Sequence, residues 1–395
     1  MILFKNCSVL PELMDGFSEA KCDILTDGKR IKGIYKCGEC PFDSETVIDE
    51  EGRFVLPGFI DMHVHLTLSG NDTRIDNEKS GVQRGYDALK YAQDALNAGF
   101  TVLRDVGATH NIAINLRNSI NKGDFVGPTI YACGLILTPT EIGNDFLPGL
   151  YSEVDTPDEI IKAVRQEVAK GADYIKVMGS GSAQNPGGEP GKPIITLEDL
   201  KVMVEAAAFK DTYVAAHCHG ATAIHNAILA GVHTIEHASY LTDESIELLK
   251  GNTDSYVIPT LLIVWKLTAD VAESSAYMGE KAKEMLNAVK TGIRKAYDAG
   301  LTLGFGTDTG IDPVHHGQNS EEFVLRRDFW GMKEIDILKQ ATINSAKIMG
   351  IDKDYGTLAV GKFADFVVLD RNPLKDIAAA HDGVVSVVKW GKVVR

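Results

Sequence analysis

The sequence predicts an α/β fold, a (β/α)8 TIM barrel of parallel strands with a smaller β-rich domain beside it. From residue 59 onward, apolar strand-like runs alternate with amphipathic helices, which is the pattern of a parallel sheet with crossover helices. The chain of 395 residues is also longer than a bare barrel of ~250 residues. Both chain ends show short strand patterns without a helical period. We therefore predict a barrel over residues 57–354 and a second domain that combines residues 1–56 with 355–395.

Eight barrel strands are predicted as short apolar runs bounded by turn residues, at residues 59–65, 101–106, 129–135, 174–178, 213–217, 234–237, 256–261 and 302–307. The helices predicted over residues 156–170 and 196–210 each begin at a threonine N-cap with acidic residues in the first turn. A helical stretch over residues 266–299 is expected to form a lid or an oligomer contact, and a last helix is predicted over residues 334–349. The chain ends are predicted to contribute strands at residues 1–9, 21–26, 31–35, 47–48, 363–369 and 384–394.

Six metal-competent side chains stand at the ends of the predicted barrel strands: His63, His65, Lys176, His217, His237 and Asp308. The first two are two positions apart, so their imidazoles share one strand face and can reach one ion. Lys176 lies in an apolar run where a bare ammonium would be costly to desolvate. Reaction of its amine with carbon dioxide would turn it into an anionic oxygen ligand. Such a set suits two zinc-like ions.

Each of these side chains, taken alone, also has a purely structural explanation. A buried histidine is more often a hydrogen-bonded core residue than a ligand. Lys176 could bury its stem and keep its charged head in solvent, and Asp308 could cap a helix or close a turn. Two further side chains are candidates for substrate binding, namely His219 and Tyr240. The former could equally bond a loop carbonyl, and the latter could cap the barrel rim.

Composition limits the partners that we expect. The formal net charge of −15 argues against a nucleic-acid partner, which would require a basic stripe. No apolar run approaches the ~20 residues of a membrane helix, and the N-terminus lacks a secretory signal pattern, so we expect a cytoplasmic homo-oligomer with a small-molecule substrate and no membrane partner. Six cysteines are too few for a disulfide scaffold, and the CxxC pair Cys37 and Cys40 fits either a structural zinc or a hairpin with reduced thiols.

Several segments, in their order along the chain, resemble a known family. They are Pro-Gly-Phe-Ile-Asp-Met-His-Val-His at 57–65, Ile-Lys-Val-Met-Gly at 175–179, Ala-His-Cys-His-Gly at 216–220, Ile-Glu-His-Ala-Ser at 235–239, Gly-Thr-Asp at 306–308 and Leu-Ala-Val-Gly-Lys-Phe-Ala-Asp-Phe-Val-Val-Leu at 358–369. Together they resemble the amidohydrolase superfamily of metal-dependent hydrolases. Within it the chain is most similar to the binuclear branch of prolidase-like (Xaa-dipeptidase) and arginine carboxypeptidase-like enzymes. The resemblance implies a small β-sandwich built from both chain ends, and hydrolysis of the amide bond of a dipeptide or an N-acyl amino acid.

The same resemblance implies how the candidates share two divalent metal ions, with zinc as the preferred metal. His63 and His65 would hold the more buried ion, and His217 and His237 would hold the second. Carboxylated Lys176, formed with carbon dioxide, would bridge both ions. Manganese, cobalt and iron would also suit these ligands.

Catalytic and substrate roles are implied as well. Asp308 would ligate the first ion and shuttle a proton from the attacking metal-bound hydroxide to the leaving amine. In the resembling dipeptidases the position of His219 touches the substrate carbonyl or carboxylate. Several of them also carry Thr-Gly-Gly-His after the third strand, where residues 137–144 here read Leu-Thr-Pro-Thr-Glu-Ile-Gly-Asn. A carboxylate of that loop, from Glu141 or Asp145, would favour a basic or amine-bearing substrate.

Two other function classes stay open at this point. The first is another reaction of the superfamily: opening of a cyclic amide, imidazolonepropionase-like ring hydrolysis, deamination or lactone hydrolysis. The resembling deaminases and imidazolonepropionases generally use one metal without a carboxylated lysine, so Lys176 argues against those two and leaves cyclic amides open. The second class is a catalytically inactive scaffold on the same fold. Such relatives usually lose ligands, whereas none of the expected ligands is missing here.

Overall fold

Both chain ends contribute strands to one sheet in this computed structural model, in which residues 1–182, 189–251, 254–269 and 276–395 are described. The N-terminal strands are β1 (Ile2–Ser8), β2 (Lys21–Asp27), β3 (Arg30–Tyr35), β4 (Thr46–Asp49) and β5 (Phe54–Pro57). Strand β1 pairs antiparallel with β2 and parallel with β4 and β5.

Two parallel sheets follow along the chain. Their strands are β6 (Phe59–Val64), β7 (Phe100–Asp105), β8 (Thr129–Ala132), β9 (Ile136–Thr138), β10 (Tyr151–Glu153), β11 (Ile175–Met178), β12 (Val214–Cys218), β13 (Thr234–His237) and β14 (Tyr256–Ile258). One sheet has the order β6-β7-β8 and the other β10-β9-β11-β12-β13-β14. Seven of the eight predicted strands coincide with strands of these sheets. The short strands β9 and β10 were not predicted, because runs of three residues carry no alternating pattern.

The eighth predicted strand is wrong as a regular strand. In the described part of the chain, its Leu303 makes a single parallel bridge to Val257. Glycines at alternate positions weaken strand pairing in this segment. The segment still links the two sheets, because Gly304 N donates to Val257 O at 3.0 Å and Met62 N donates to Phe305 O at 2.8 Å.

The helices pack around these sheets. They are α1 (Thr73–Asn77), α2 (Gly81–Asn97), α3 (Ile112–Lys122), α4 (Pro157–Ala169), α5 (Leu197–Ala208), α6 (Ala221–Ala230), α7 (Asp243–Gly251), α8 (Leu261–Ala269), α9 (Ala276–Asp298), α10 (Glu321–Trp330), α11 (Glu334–Lys339), α12 (Ser345–Ile348) and α13 (Ala379–Asp382). In the described residues, no helix is both long enough and apolar enough to cross a membrane.

The predicted helix boundaries hold where capping residues set them. Thr156 and Thr196 are the N-caps of α4 and α5, and each side chain accepts a hydrogen bond from a backbone N–H of the first turn. The stretch predicted over residues 266–299 is divided between α8 and α9, and residues 270–275 lie outside the described residues. The helix predicted over residues 334–349 is interrupted by a π-helical turn between α11 and α12.

The C-terminal strands complete the terminal sheet. They are β15 (Phe366–Leu369), β16 (Val384–Lys389) and β17 (Lys392–Val393), and the eight-stranded sheet has the order β17-β16-β15-β5-β1-β2-β3, with β4 on β1. A buried ion pair between Lys389 and Asp365 at 2.5 Å, with a hydrogen bond from Lys389 to Thr101 O at 3.0 Å, joins this sheet to β7. The α/β class is thus confirmed. Closure into one barrel, the β-sandwich and the domain boundaries stay predictions.

Candidate metal centre

Two adjoining groups of buried side chains lie at the carboxyl ends of the parallel strands. The aspartate group consists of His63, His65 and Asp308, and the histidine group of His217, His219 and His237. Within each group the potential ligand atoms lie within 4.8 Å of one another. The rings of His63 and His237 have their centroids 4.6 Å apart, so the two groups form one site.

Backbone pairing positions the aspartate group. Asp308 N donates to His63 O and His65 N donates to Thr309 O, both at 2.8 Å. The chain turns at Asp308, which has a left-handed φ of 64°. A Cβ at Gly306 would lie 2.9 Å from the Cβ of His63, so only glycine lets the two segments approach this closely.

Buried acceptors orient both histidines of the aspartate group. His63 Nδ1 donates to Glu236 Oε2 at 2.7 Å, and His65 Nδ1 donates to Gly107 O at 3.1 Å. Arg104 Nη2 donates to the other carboxylate oxygen of Glu236 at 2.7 Å. Burial would raise the pKa of Glu236, but Arg104 and His63 hold that pKa at about 2. Because both acceptors can only accept, each Nδ1 carries a proton, and in the neutral imidazole each Nε2 then keeps its lone pair.

Hydroxyl groups orient two histidines of the histidine group. His237 Nδ1 bonds Thr260 Oγ1 at 2.7 Å, and His219 Nδ1 bonds Ser239 Oγ at 2.8 Å. In the described part of the chain, His217 Nε2 is buried without a hydrogen-bond partner. An unpaired polar atom of this kind is costly unless a further group satisfies it. The group thus offers imidazole nitrogens that protein donors do not use.

The protonation states suit metal binding. Burial lowers the pKa of His65 and of His219 to about 4. Burial, reinforced by neighbouring histidines, lowers the pKa of His217 and His237 well below the ordinary value. These four imidazoles are therefore neutral near pH 7, and the neutral imidazole is the form that binds a metal ion.

The geometry around Asp308 provides a direct test of whether a cation fits. Its Oδ1 lies 3.3 Å from His63 Nε2 and 3.6 Å from His65 Nε2, and it has no hydrogen-bond partner among the described residues. With the protons on Nδ1, three lone-pair atoms face one another without a proton between them. A divalent cation would satisfy all three, so these residues fit a metal ion.

Lys176 lines the same pocket from β11. It is 1% exposed, and burial lowers the pKa of its amine. In the described ranges its Nζ has no hydrogen-bond or ion-pair partner. A lowered pKa favours the uncharged amine, which is the form that reacts with carbon dioxide. The environment therefore fits carboxylation, which would give the buried side chain a reason for its place.

The pocket is lined by all six predicted ligands and by His219. Tyr240 is not among its lining residues, and its half-buried ring packs against an apolar cluster that includes Leu262. Neither Glu141 nor Asp145 lines the pocket, so the structure gives no support to a basic substrate. The substrate contact predicted for Tyr240 stays a prediction. The described metal-competent groups do not include Cys37 or Cys40.

The residues that orient the ligands were not predicted. Arg104 and Glu236 interrupt apolar strand runs with buried charges, and this is a signal that sequence reasoning could have used. Thr260, Ser239 and Gly107 give no comparable signal. A small residue or a hydroxyl after a strand occurs in many ordinary loops.

Parallel α/β sheets with buried histidines, an aspartate and a lysine gathered at the strand ends are typical of metal-dependent hydrolases. Residues 54–394 match the model of the amidohydrolase family, and the chain belongs to that family. The membership implies a TIM-barrel fold and supports hydrolysis of a carbon–nitrogen bond.

Three known proteins are similar to this chain. Ochratoxinase of Aspergillus niger is 30% identical over 373 residues, which cover 86% of this chain and 75% of the relative. The crystal structure of a Xaa-Pro dipeptidase with methionine bound in its active site has a TM-score of 0.89 and 30% identity, over 100% of this chain and 99% of that one. A crystal structure of a prolidase complexed with N-methylphosphonate-L-proline has a TM-score of 0.89 and 28% identity, and the match covers 100% of this chain and 99% of that one. The structural neighbours are thus prolidase-like.

Proposed function

We propose that this protein is a binuclear metal-dependent hydrolase that cleaves the amide bond of a dipeptide or an N-acyl amino acid. The observation that carries the proposal is the pair of adjoining ligand groups, with lone pairs facing one another around Asp308 and with Lys176 buried in the same pocket. The similarity to a Xaa-Pro dipeptidase and a prolidase supports the substrate class.

The ligands divide between two ions. His63, His65 and Asp308 would hold one, His217 and His237 the other, and carboxylated Lys176 would bridge them. When bound, two divalent cations, with zinc preferred, supply Lewis acidity toward the amide carbonyl and lower the pKa of water.

Asp308 is the proton shuttle in this proposal. The pKa of Asp308 is lowered although burial alone would raise it, so its carboxylate is ionised and can accept a proton. Hydrolysis adds the hydroxyl of water to the carbonyl carbon, breaks the carbon–nitrogen bond and delivers the other proton of water to the amine. Asp308 would take that proton and hand it to the leaving nitrogen. His219, whose Nδ1 is held by Ser239, would contact the substrate with Nε2.

Metal analysis and a substrate library test the proposal together. We expect two divalent ions per chain and release of a free amino acid from dipeptides or N-acyl amino acids. Ring opening of cyclic amides without amino-acid release would favour the cyclic-amide alternative, and ammonia release would favour a deaminase. A protein that bound no metal and cleaved no amide would instead be an inactive scaffold.

We also infer that the parallel strands close into one eight-stranded barrel over residues 57–354, and that the terminal sheet of residues 1–56 and 355–395 forms a β-sandwich. The family membership supports the barrel. A cytoplasmic location and a homo-oligomeric state stay predictions.

A further inference from the structure

We propose that the pocket selects substrates with an uncharged apolar group beside the scissile amide, and that one face of α8 is the wall that contacts this group. The inference rests on the proposed function, because it names a subset of amide substrates. It concerns residues that hold no metal ion.

The lining of the pocket beyond the ligand groups is mostly apolar. Ile263, Val264 and Leu267 contribute from α8, Met285 contributes from α9, and Ile311 follows the aspartate group. Among the described lining residues there is no arginine, the one lysine is the buried ligand candidate, and the one carboxylate belongs to the aspartate group. A charged substrate side chain would therefore find no counter-charge among the described residues of this wall.

The three residues of α8 form one continuous face. Position 267 is four residues from position 263 and three from position 264, and these spacings place the three side chains on one side of a helix. Trp265 lies on another side of α8, is 39% exposed and packs against Phe329. Leu262 is fully buried in the same apolar cluster as the three wall residues, but it does not line the pocket. The helix thus offers one buried apolar residue outside the lining as a control for those within it.

A buried ion pair fixes the position of this wall. The backbone N–H groups that begin α8, those of Leu261 and Leu262, donate to the carboxylate of Glu322 at 3.3 and 2.7 Å. Glu322 in turn pairs with Arg326 at 2.8 Å, and both side chains are fully buried. The N-terminal turn of α8 is therefore anchored to α10. A wall held in this way presents a fixed surface, which is a condition for discriminating between substrates.

The energetics favour apolar over charged groups here. An ionised group that leaves water for an apolar wall loses its hydration without gaining a partner. An apolar group gains from the same transfer, and a single methylene in such a pocket changes specificity by about 10–200-fold. The pocket should therefore discriminate strongly between two side chains of similar shape when only one is charged.

Leucine, asparagine and aspartate provide that comparison, because their side chains have similar shapes and differ in polarity and charge. Glycyl-leucine, glycyl-asparagine and glycyl-aspartate place the side chain on the amine side of the amide, and the reversed dipeptides place it on the acyl side. With the metal-loaded full chain, we expect kcat/KM for leucine to exceed that for aspartate by at least about tenfold on one side of the amide. Asparagine should rank between them. A ratio near one on both sides would overturn the inference.

Paired variants locate the wall. Leu267→Ala should lower the leucine-to-aspartate ratio by about tenfold, because it removes apolar contact from the pocket. Leu262→Ala removes a similar buried side chain from the same helix without changing the lining, so its ratio should match the unmodified protein. Equal changes in the two variants would mean that α8 acts through stability alone, which would contradict the assignment.

Binding separates this inference from the proposed function. N-methylphosphonate derivatives of leucine and aspartate can be titrated into the metal-loaded protein by calorimetry, a measurement that requires no turnover. Tighter binding of the leucine derivative by a protein that cleaves no amide would support the apolar wall and reject the proposed function. Cleavage without a preference for leucine would support the proposed function and contradict the apolar wall. Failure to bind either derivative would also contradict the assignment of the wall to α8.

Discussion

The two ligand groups are alike in burial but differ in charge. The aspartate group carries a carboxylate, and a second buried carboxylate, Glu236, orients its His63. The histidine group contains imidazoles only, and neutral hydroxyls orient two of them. Within the described residues, a cation in the histidine group would have no anionic ligand unless Lys176 were carboxylated. In the proposed centre, the first ion would thus be held by charges encoded in the sequence, whereas binding of the second would depend on carboxylation of Lys176.

The largest effect is expected from the residue that has both a ligand role and a proton-transfer role. Asp308→Asn should lower kcat by about 10³-fold or more, because it removes the proton acceptor and the anion of the aspartate group. Steady-state kinetics with saturating metal measures this. Asp145→Asn, in an exposed loop that does not line the pocket, is the matched control and should leave kcat unchanged. Substantial activity in Asp308→Asn would contradict the role of this residue.

The second prediction tests whether metal binding by the histidine group depends on carboxylation of Lys176. Lys176→Ala should lose the ion of the histidine group, keep the ion of the aspartate group, and lower kcat by about 100-fold. Added acetate or propionate should restore part of the activity by supplying the missing carboxylate. The surface variant Lys250→Ala should behave as the unmodified protein. Two ions bound at normal affinity in Lys176→Ala would remove the proposed difference between the groups.

The third prediction compares the residues that orient the ligands. Glu236→Gln should weaken metal binding at the aspartate group by about 10–100-fold, because a charged acceptor aligns His63 and increases its basicity. Thr260→Ala, which removes a neutral partner of His237, should weaken binding at the histidine group by less than about tenfold. Titration with a competing chelator gives both affinities. Equal losses would show that the charge of Glu236 has no special effect.

These groups show which parts of the site local sequence could predict. His63, His65 and Asp308 follow apolar runs, so a strand-end argument was sufficient to find them. The pair of Arg104 and Glu236 joins residues 132 positions apart, and no local pattern encodes that contact. Only the folded sheets bring the two charges together.

Tyr240 shows why sequence proximity to the histidine group is not enough to assign a role. It follows His237 closely in sequence, which left two predictions open, a substrate contact in the pocket or a cap on the barrel rim. His237 and Ala238, however, have left-handed φ values of 65° and 50°, and the alternation of strand faces stops there. The prediction of the eighth strand was wrong because the glycines of that segment allow a close approach of the backbone in place of side-chain pairing.

The smallest expected effect is on the pH dependence of stability, to which one histidine of each ligand group should contribute equally. His65 and His219 each have a pKa lowered by burial from an ordinary 6.5 to about 4, so the unfolded chain binds more protons between those values. Each histidine therefore stabilises the fold fully above pH 6.5, and this contribution is lost as the pH falls through about 4. Between pH 7 and 5 the loss is up to about 2 kcal/mol for each.

Measurements on the unmodified protein cannot isolate the contribution of these histidines to the pH dependence of the unfolding free energy. Burial raises the pKa of Asp105 to about 7 and that of Asp61 to about 6, and these two shifts change the unfolding free energy with pH in the opposite direction. Differences between variants do isolate it. In metal-free protein, His65→Asn and His219→Asn should each reduce the loss of unfolding free energy between pH 7 and 5 by about 1–2 kcal/mol, as measured by chemical denaturation. A reduction in only one of the two variants would mean that the ligand groups differ in desolvation as well as in charge. Equal reductions would mean that the two ligand groups differ in charge and not in desolvation.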